Sequence, residues 1–230
     1  MHIIAAIAPT IHMATLGVTV FENSEEKVDA QNWHLNETAI AAASRALAGR
    51  YSLTSEILPT DESTGPDDFA KVIREHITPG APPDLYLVIL SYHDSAEVLQ
   101  ARMGFEGIGV SKRNSLFPGW PPLVHAFGTV ALYDGKTLNL IAARKLQMSS
   151  PDLNAYAKGN RDALAEYISI GLNDSYAPIA PVQYGPWPSH WSELSADRQN
   201  EIRTRMTELL SKSVDFTTKH MFFADAAAPP

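Results

Sequence analysis

The run from Leu85 to Leu90 constrains the fold more than any other part of the sequence. It is nearly continuous in apolar residues and reads Leu-Tyr-Leu-Val-Ile-Leu. A strand with one wet face alternates apolar and polar residues, whereas a strand covered on both faces is apolar throughout. We therefore expect this run to be a central strand of a mixed sheet, with helices packed on the sheet.

Strand and helix signals alternate along the first half of the chain. Strands are predicted where β-branched and apolar residues cluster, and helices where apolar residues recur every three or four positions behind a capping residue. The predicted strands are residues 2–8, 17–21 and 51–57. One helix is predicted from Asn32 or Asn36 to about Ala48, and another from Pro66 to Ile77. We expect residues 2–8 and 17–21 to pair as a hairpin at the edge of the sheet.

Two features dominate the second half of the chain. Asp134-Gly135 lies between two long strand-like runs, and Asp-Gly is a strong signal for an antiparallel hairpin. The apolar residues after Ser195 share one helical face, which predicts a carboxyl-terminal helix packed across the sheet. The glycine-rich residues 104–109 and the prolines near residue 120 are expected to be connectors.

The length of 230 residues suits a single α/β domain with one sizeable core. We predict that this domain spans residues 1–225. Within it, residues 1–172 form the core, the proline-rich residues 173–194 wrap the domain, and residues 195–222 form the last helix. Residues 226–230 have little to bury and are expected to be a frayed tail.

Composition excludes several classes of function. The chain has no cysteine, which excludes disulfides, thiolate nucleophiles and cysteine zinc sites. The net charge of -8 would repel a phosphate backbone, so nucleic-acid binding is not expected. No run approaches the roughly 18 apolar residues that span a bilayer, so a soluble chain without a membrane span is predicted. No signal-peptide pattern is present, which favours the cytoplasm, or the bacterial periplasm if an export signal has been removed.

The best candidate site directly follows the apolar run. Ser91, His93 and Asp94 lie there, and ligands of open α/β sheets bind at the carboxyl ends of the strands. These residue types could supply a nucleophile, a base and an orienting acid, but neighbours on one turn rarely aim at one another as a triad requires. The alternatives are a ligand contact without catalysis, or a helix cap at Asp94 or Ser95.

A second candidate is a glycine segment followed by cations. Gly107 and Gly109 precede Lys112 and Arg113, and backbone amides beside cations can hold an anion. The spacing matches neither the P-loop nor the dinucleotide-binding fingerprint. We therefore favour the simpler interpretation, in which the glycines permit a turn or a bulge.

Histidines and tryptophans provide the remaining candidates. No two of the eight histidines have the spacing of a helical metal pair, so no metal site and no cofactor are predicted, although convergence in space stays open. Trp187 and Trp191 lie in a proline-rich stretch whose large rings suit a protein-recognition surface. The alternative for both rings is that they anchor this stretch to the domain's own core.

Three stretches of the chain resemble the small mixed-sheet domain found at the amino terminus of TolB and in curli-secretion-type lipoproteins. They are Ala48-Gly-Arg-Tyr-Ser-Leu-Thr54, Pro83-Asp-Leu-Tyr-Leu-Val-Ile89 and Val130-Ala-Leu-Tyr-Asp-Gly-Lys-Thr-Leu138. They fall within about the first 145 residues. The resemblance implies a non-catalytic bacterial domain that docks proteins in the envelope. The chain departs from that pattern because it lacks a lipid-attachment cysteine and an export signal.

The sequence therefore favours a non-catalytic binding or assembly module that acts through contacts with another protein. No constellation of residues in it explains a reaction, so an enzyme is not the favoured interpretation. The alternative is a small-molecule enzyme or ligand-binding protein. In that case Ser91, His93 and Asp94 would form the floor of a cleft, and the loop from Gly107 to Gly109 would form its rim.

Overall fold

Ten β-strands and three longer α-helices form the framework of the described part of the chain. The computed structural model describes residues 1–17, 23–60, 64–76, 82–91, 107–113, 121–149, 151–152, 155, 178–183 and 187–223. The strands are β1 His2–Ala6, β2 Thr10–Leu16, β3 Ser24–Asp29, β4 Thr54–Ile57, β5 Leu85–Leu90, β6 Ile108–Arg113, β7 Leu123–Ala126, β8 Thr129–Asp134, β9 Leu140–Lys145 and β10 Ile179–Pro181. The helices are α1 Leu35–Leu47, α2 Pro66–His76 and α3 Ala196–Phe222.

The apolar run forms β5, the middle strand of a five-stranded sheet that we call sheet A. Its strand order is β4-β1-β5-β8-β9, with β4, β1 and β5 parallel and β8 and β9 antiparallel to their neighbours. Alternate β5 side chains enter two different cores: Leu87 and Ile89 face one, whereas Tyr86 and Val88 face the other. The prediction of a central strand covered on both faces is confirmed.

Helices cover both faces of sheet A. On one face, Phe69 and Ile73 of α2 pack against β1, β5 and β8. On the other face, α1 and α3 share a larger core that also includes one face of the second sheet. The carboxyl-terminal helix begins as predicted, because the Ser195 hydroxyl accepts a hydrogen bond from the Arg198 N–H at 3.3 Å. Its predicted apolar face is buried at Ile202, Met206, Leu209, Leu210 and Val214.

The amino-terminal strand lies inside sheet A, so the predicted edge position is wrong. Strand β1 has parallel neighbours on both sides, β4 and β5. Its residues from Ile3 to Ala6 are fully buried, which explains why they are all apolar. The predicted pairing partner, residues 17–21, falls mostly outside the described residues.

A second five-stranded sheet, sheet B, has the order β10-β7-β6-β2-β3. The predicted α/β class is confirmed, but the sequence did not lead us to expect this sheet. Residues 104–109, which were predicted to be a connector, overlap strand β6 at Ile108 and Gly109, and β6 pairs with β2 in parallel and with β7 antiparallel. The acidic residues 24–29 form the edge strand β3, in which Val28 is the buried residue.

The chain passes from one sheet to the other at a line that we call the seam. Strand β1 leads into β2 through residues 7–9, and β7 leads into β8 through Phe127 and Gly128. The strands β1, β5 and β8 are neighbours in sheet A in the same order as β2, β6 and β7 in sheet B. The Phe127 N–H donates to the Gly107 carbonyl at 2.9 Å, so hydrogen bonds continue across the seam.

Helix α1 starts without the asparagine cap that was predicted. The residue before it is His34, which has a left-handed backbone and makes no side-chain cap. Asn36 is used elsewhere: its Oδ1 accepts from the Ile7 N–H at 2.8 Å, and its Nδ2 donates to the Ile7 carbonyl at 3.1 Å. An asparagine that looks like a cap in the sequence thus satisfies the backbone at the seam.

The predicted antiparallel hairpin is confirmed as β8 and β9, with a wider turn than two residues. The Asp134 N–H donates to the Asn139 carbonyl at 3.0 Å, and the Leu138 N–H donates to the Asp134 carbonyl at 3.0 Å. The strand-like run before the turn is divided at the seam, so that β7 belongs to sheet B and β8 to sheet A. No helix in the described residues is long and apolar enough to cross a bilayer.

Candidate functional site

Two of the predicted site residues, Ser91 and Gly107, meet at the seam. Ser91 is buried at the end of β5, and its Oγ accepts a hydrogen bond from the Ala8 N–H at 3.1 Å. Gly107 precedes β6 with φ of 54°, a left-handed conformation that glycine adopts without strain. A Cβ at Gly107 would lie 3.4 Å from the Ser91 carbonyl oxygen. The turn that was predicted for the glycine segment is present at Gly107.

His93 and Asp94 lie outside the described residues, so their proposed contact with ligand stays a prediction. Lys112 is described and lies on β6 opposite Thr15. Partial burial lowers the pKa of Lys112. Because side chains alternate along a strand, Lys112 and Gly109 face opposite sides of sheet B. The anion site predicted for Gly107, Gly109 and Lys112 stays a prediction.

Gly109 lies within strand β6, which corrects its predicted place in a loop at the rim of a cleft. It is directly opposite His12 of β2 on one side and His125 of β7 on the other. A Cβ at Gly109 would lie 2.4 Å from the His12 carbonyl oxygen and 2.9 Å from His125 Cε1. The glycine is thus required because the two histidines leave no room for a side chain.

His125 is fully buried and is held by two hydrogen bonds. Its Nδ1 lies 3.1 Å from the Gly107 carbonyl oxygen, and its Nε2 lies 3.2 Å from Ser111 Oγ. A carbonyl can only accept, so Nδ1 carries the proton and, in the neutral ring, Nε2 accepts from the Ser111 hydroxyl. Phe127 stacks on the ring with centroids 5.0 Å apart. The result is a serine, an imidazole and an orienting carbonyl in series.

His12, on the same face of sheet B, is paired with a carboxylate. It is 3% exposed, and its Nδ1 contacts Glu25 Oε1 on the edge strand β3. Lys27 lies directly opposite His12 in the strand register. The face of sheet B that points away from the core shared with α1 and α3 therefore carries a row of polar side chains. We call the group formed by His12, Glu25, Ser111 and His125 the histidine cluster.

The sequence did not reveal the histidine cluster as a candidate site. His12 and His125 are far apart in the chain, and they become neighbours because each is paired with Gly109 of β6. The strand register thus places the two histidines on either side of one glycine. In the described residues, no group of three or more histidines and carboxylates is arranged to hold a metal ion.

Trp187 and Trp191 lie against the domain's own core. Both are partly buried and pack on the core shared with α1 and α3. The Trp191 ring lies 5.6 Å from that of Trp33, and the backbone N–H of Trp191 donates to Glu26 Oε2 at 2.8 Å. These contacts anchor the proline-rich segment to β3 and to the turn before α1. A role of the two tryptophans in partner contact stays a prediction.

An open cleft of about 460 Å³ lies between the start of α1 and the middle of α3. It contains none of the predicted site residues. Arg203, on its wall, is engaged with Asn200 at 2.7 Å, and Glu208 lies 3.5 Å from Arg205. The residues that line it are Asn32, Trp33, His34, Thr38, Arg203, Thr204, Thr207, Glu208 and Ser211.

No protein-family model and no curated protein matches the chain. Among solved structures, it is similar to a Xanthomonas campestris protein described by the family model DUF330, with 8% identity, a TM-score of 0.41, and coverage of 98% of this chain and 85% of that one. It is also similar to a homolog of a neuraminyllactose-binding hemagglutinin from Helicobacter pylori, with 11% identity, a TM-score of 0.34, and coverage of 96% and 82%. A Neisseria meningitidis lipoprotein matches with 12% identity, a TM-score of 0.22, and coverage of 72% and 98%.

All three of these proteins are bacterial. Their TM-scores are too low to carry an argument about function. The finer relationship to TolB or to curli-secretion lipoproteins therefore stays a prediction. What the structure itself defines is an α/β domain with two mixed five-stranded sheets.

Proposed function

We propose that this chain is a non-catalytic binding module that acts through protein contacts, and that it makes them at strand β9. In the described residues, β9 pairs with β8 alone and so forms an edge of sheet A. Its side chains Leu140 and Ile141 are 38% and 54% exposed. Exposed apolar side chains on an edge strand provide both a template for pairing and a surface that gains from burial. This exposed apolar edge is the observation that carries the proposal.

The buried polar residues support a structural role for the predicted site. Ser91 Oγ accepts from the Ala8 N–H, and the Ser111–His125 pair is completed by the Gly107 carbonyl. Buried polar groups in a fold are usually hydrogen-bonded in this way, without any catalytic role. These three contacts support the proposal, because packing and hydrogen bonding account for the residues without catalysis.

Site-specific photo-crosslinking in cells that produce the protein tests this proposal. A benzoylphenylalanine placed at Ile141 should form a discrete adduct with another protein, because that side chain is more than half exposed on the edge strand. The matched control places benzoylphenylalanine at Lys71 on α2, where the native side chain is 77% exposed. Absence of an adduct at position 141, or equal adducts at both positions, would contradict the proposal.

The geometry of Ser111 and His125 favours a second candidate, an enzyme that uses a serine nucleophile. A hydroxyl within reach of an imidazole, itself oriented by a third group, is the arrangement that activates serine. Ser111 is 0% exposed, so a substrate would have to reach a buried oxygen. A fluorophosphonate reagent separates the two functions: an enzyme would be labelled at Ser111 and not in Ser111→Ala, whereas the binding module would not be labelled.

A further inference from the structure

We infer that the occupant of β9 is an extended acidic segment of a partner protein, which adds to sheet A as a sixth strand. This inference rests on the proposed function and names the chemistry of the partner. Addition of a strand to an exposed sheet edge is a common mode of peptide recognition, in which main-chain hydrogen bonds give affinity and side chains give specificity.

The backbone of β9 has hydrogen-bonding groups that point away from sheet A. The Leu146 N–H donates to the Gly128 carbonyl at 2.8 Å, which fixes the side of the strand that faces β8. In an antiparallel pair, residues alternate between facing the partner and facing away. Arg144, opposite Val130, therefore faces β8, and the N–H and C=O of Ala143 point outward. An added strand would pair with these outward groups.

Charge distinguishes β9 from the other edges of the two described sheets. Strand β9 ends in Arg144-Lys145 and has no carboxylate, whereas β3 reads Ser-Glu-Glu-Lys-Val-Asp. Strand β4 contains Glu56, and β10 has no charged residue. Since opposite charges across paired strands stabilise the pair and like charges oppose it, an acidic segment should select β9.

Arg144 is available to such a segment. Its side chain is exposed, and no carboxylate in the described residues forms an ion pair with it. The chain as a whole carries a net charge of -8, so this cationic edge contrasts with the rest of the protein. Complementary charge of this kind chiefly sets the choice of partner and the rate of association.

A second copy of the chain fits β9 less well than an acidic segment does. A strand of six residues is about 20 Å long, and pairing along it buries far less than the roughly 800 Å² per partner of a stable dimer. Two copies would also each bring a net charge of -8. The bulge in β9, which lies opposite Leu132 and Tyr133, disfavours pairing of two identical edges.

Fluorescence anisotropy with a synthetic peptide tests the inference. The probe is a labelled peptide of alternating glutamate and valine, and the control is the same peptide with lysine in place of glutamate. The glutamate peptide should bind the intact protein at least about tenfold more tightly than the lysine peptide, and added salt should weaken it. Hydrogen exchange should show new protection at the outward Ala143 amide when the peptide is bound.

Two variants locate the binding and one variant serves as control. Ala143→Pro removes an outward N–H without removing a hydrogen bond to β8, and Arg144→Glu reverses the charge of the edge. Each should weaken binding of the glutamate peptide by about tenfold or more, and Arg144→Glu should strengthen binding of the lysine peptide. Lys71→Glu makes the same kind of charge change on α2 and should leave binding unchanged. Circular dichroism melts confirm that each variant is folded.

The outcomes separate this inference from the proposed function. Equal binding of the two peptides, or unchanged binding in both β9 variants, would overturn the acidic-segment inference. Light scattering that showed a dimer of the chain, lost in Ala143→Pro, would replace the acidic segment with a second copy. If crosslinking at Ile141 captures a protein but the glutamate peptide does not bind, the proposed function stands and the partner chemistry is wrong.

Discussion

At the scale of single residues, the middle of sheet B depends on close contact between a glycine and two buried histidines. Gly109 has His12 on one side and His125 on the other, and neither leaves space for a methyl group. Interiors packed at this density respond to the addition of a single carbon. The arrangement links the packing of β2, β6 and β7 to the identity of one residue.

Gly109→Ala should destabilise the fold by about 1–3 kcal/mol, because the added Cβ would lie 2.4 Å from the His12 carbonyl oxygen. Chemical denaturation of the purified variant measures the change in the free energy of unfolding. Gly49→Ala is the control, since no atom lies within 4 Å of its Cβ position and only the cost of its left-handed backbone applies. A variant at Gly109 as stable as the parent would contradict the described packing.

Tyr133 carries a prediction for alkaline pH. Its hydroxyl donates to the Pro66 carbonyl at 2.5 Å, and burial together with the nearby Asp67 raises the pKa of Tyr133 above its ordinary value of 10.0. The fold thus favours the neutral phenol, so the stability it contributes is complete below about pH 10 and is lost as pH rises beyond it.

Tyr133→Phe should lower the free energy of unfolding by about 1 kcal/mol at neutral pH, because the hydrogen bond from the Tyr133 hydroxyl to the Pro66 carbonyl is removed. It should also show a shallower fall in melting temperature at alkaline pH than the parent. Tyr51→Phe, at a ring that is 39% exposed, is the control and should match the parent. Identical alkaline melting curves for the parent and Tyr133→Phe would show that Tyr133 has no such role.

At the scale of elements, the turn between β8 and β9 is organised by the carboxylate of Asp134. Its Oδ1 accepts from the Thr137 N–H at 2.7 Å, the Thr137 hydroxyl at 2.8 Å and the Lys136 N–H at 3.0 Å. The hydrogen bonds from Thr137 lower the pKa of Asp134 below its ordinary value of 3.8. The turn also sets the start of β9, on which the proposed function rests.

Asp134→Asn should reduce the dependence of stability on acid pH. The lowered pKa means that the ionised carboxylate stabilises the fold above about pH 4, and this contribution is lost as pH falls through the lowered pKa. Thermal melts over this range should therefore show a smaller acid-induced decrease for the variant. Thr137→Val keeps the backbone donor and should give an intermediate result. An equal decrease for Asp134→Asn and the parent would contradict this role.

The elements that the sequence predicted are those whose own residues signal their environment. The run of β5 is apolar throughout, and the apolar residues of α2 and α3 recur at the helical period over several turns. By contrast, β3 is an edge strand with one buried residue, Val28, and so has almost no apolar signal. The hairpin was located correctly from Asp134-Gly135, although the structure needs the glycine for its small size. A Cβ at Gly135 would lie 1.6 Å from the Pro83 carbonyl oxygen, and the residue with the left-handed backbone in this turn is Leu138.

The candidate site was predictable only in part, because it depends on pairing between distant strands. Ser91 was identified from its place after β5, and Gly107 from its position among glycines, and the two do meet at the seam. His12 and His125 were not identified from the sequence, because two residues about one hundred positions apart leave no local pattern. Sheet register, not sequence spacing, creates the histidine cluster.

At the scale of the whole molecule, one core joins the two sheets. Leu87 and Ile89 of sheet A and Met13 and Val110 of sheet B belong to the same group of buried side chains, together with the inner faces of α1 and α3. Loss of packing in one sheet therefore exposes apolar surface of the other. This shared core is the physical basis for regarding the two sheets as one cooperative unit.

Thermal unfolding should be a single transition in which the calorimetric and van't Hoff enthalpies agree. Leu87→Ala in sheet A should reduce the free energy of unfolding by about 2–5 kcal/mol and so lower the midpoint temperature of this transition. Val110→Ala in sheet B should lower the same midpoint by a smaller amount, because fewer carbons are removed. Two separated transitions, each sensitive to one variant, would show that the sheets unfold independently.

The seam has a consequence for how the protein can be divided. Sheet A is built from residues 2–145 and sheet B from residues 10–181, so a fragment long enough to hold every strand of sheet A also holds four of the five strands of sheet B. No proteolytic cut or gene truncation can release one sheet intact without dividing or removing strands of the other. Domain dissection is therefore the wrong way to assign roles to the two sheets, and substitutions in the full-length chain are the right one.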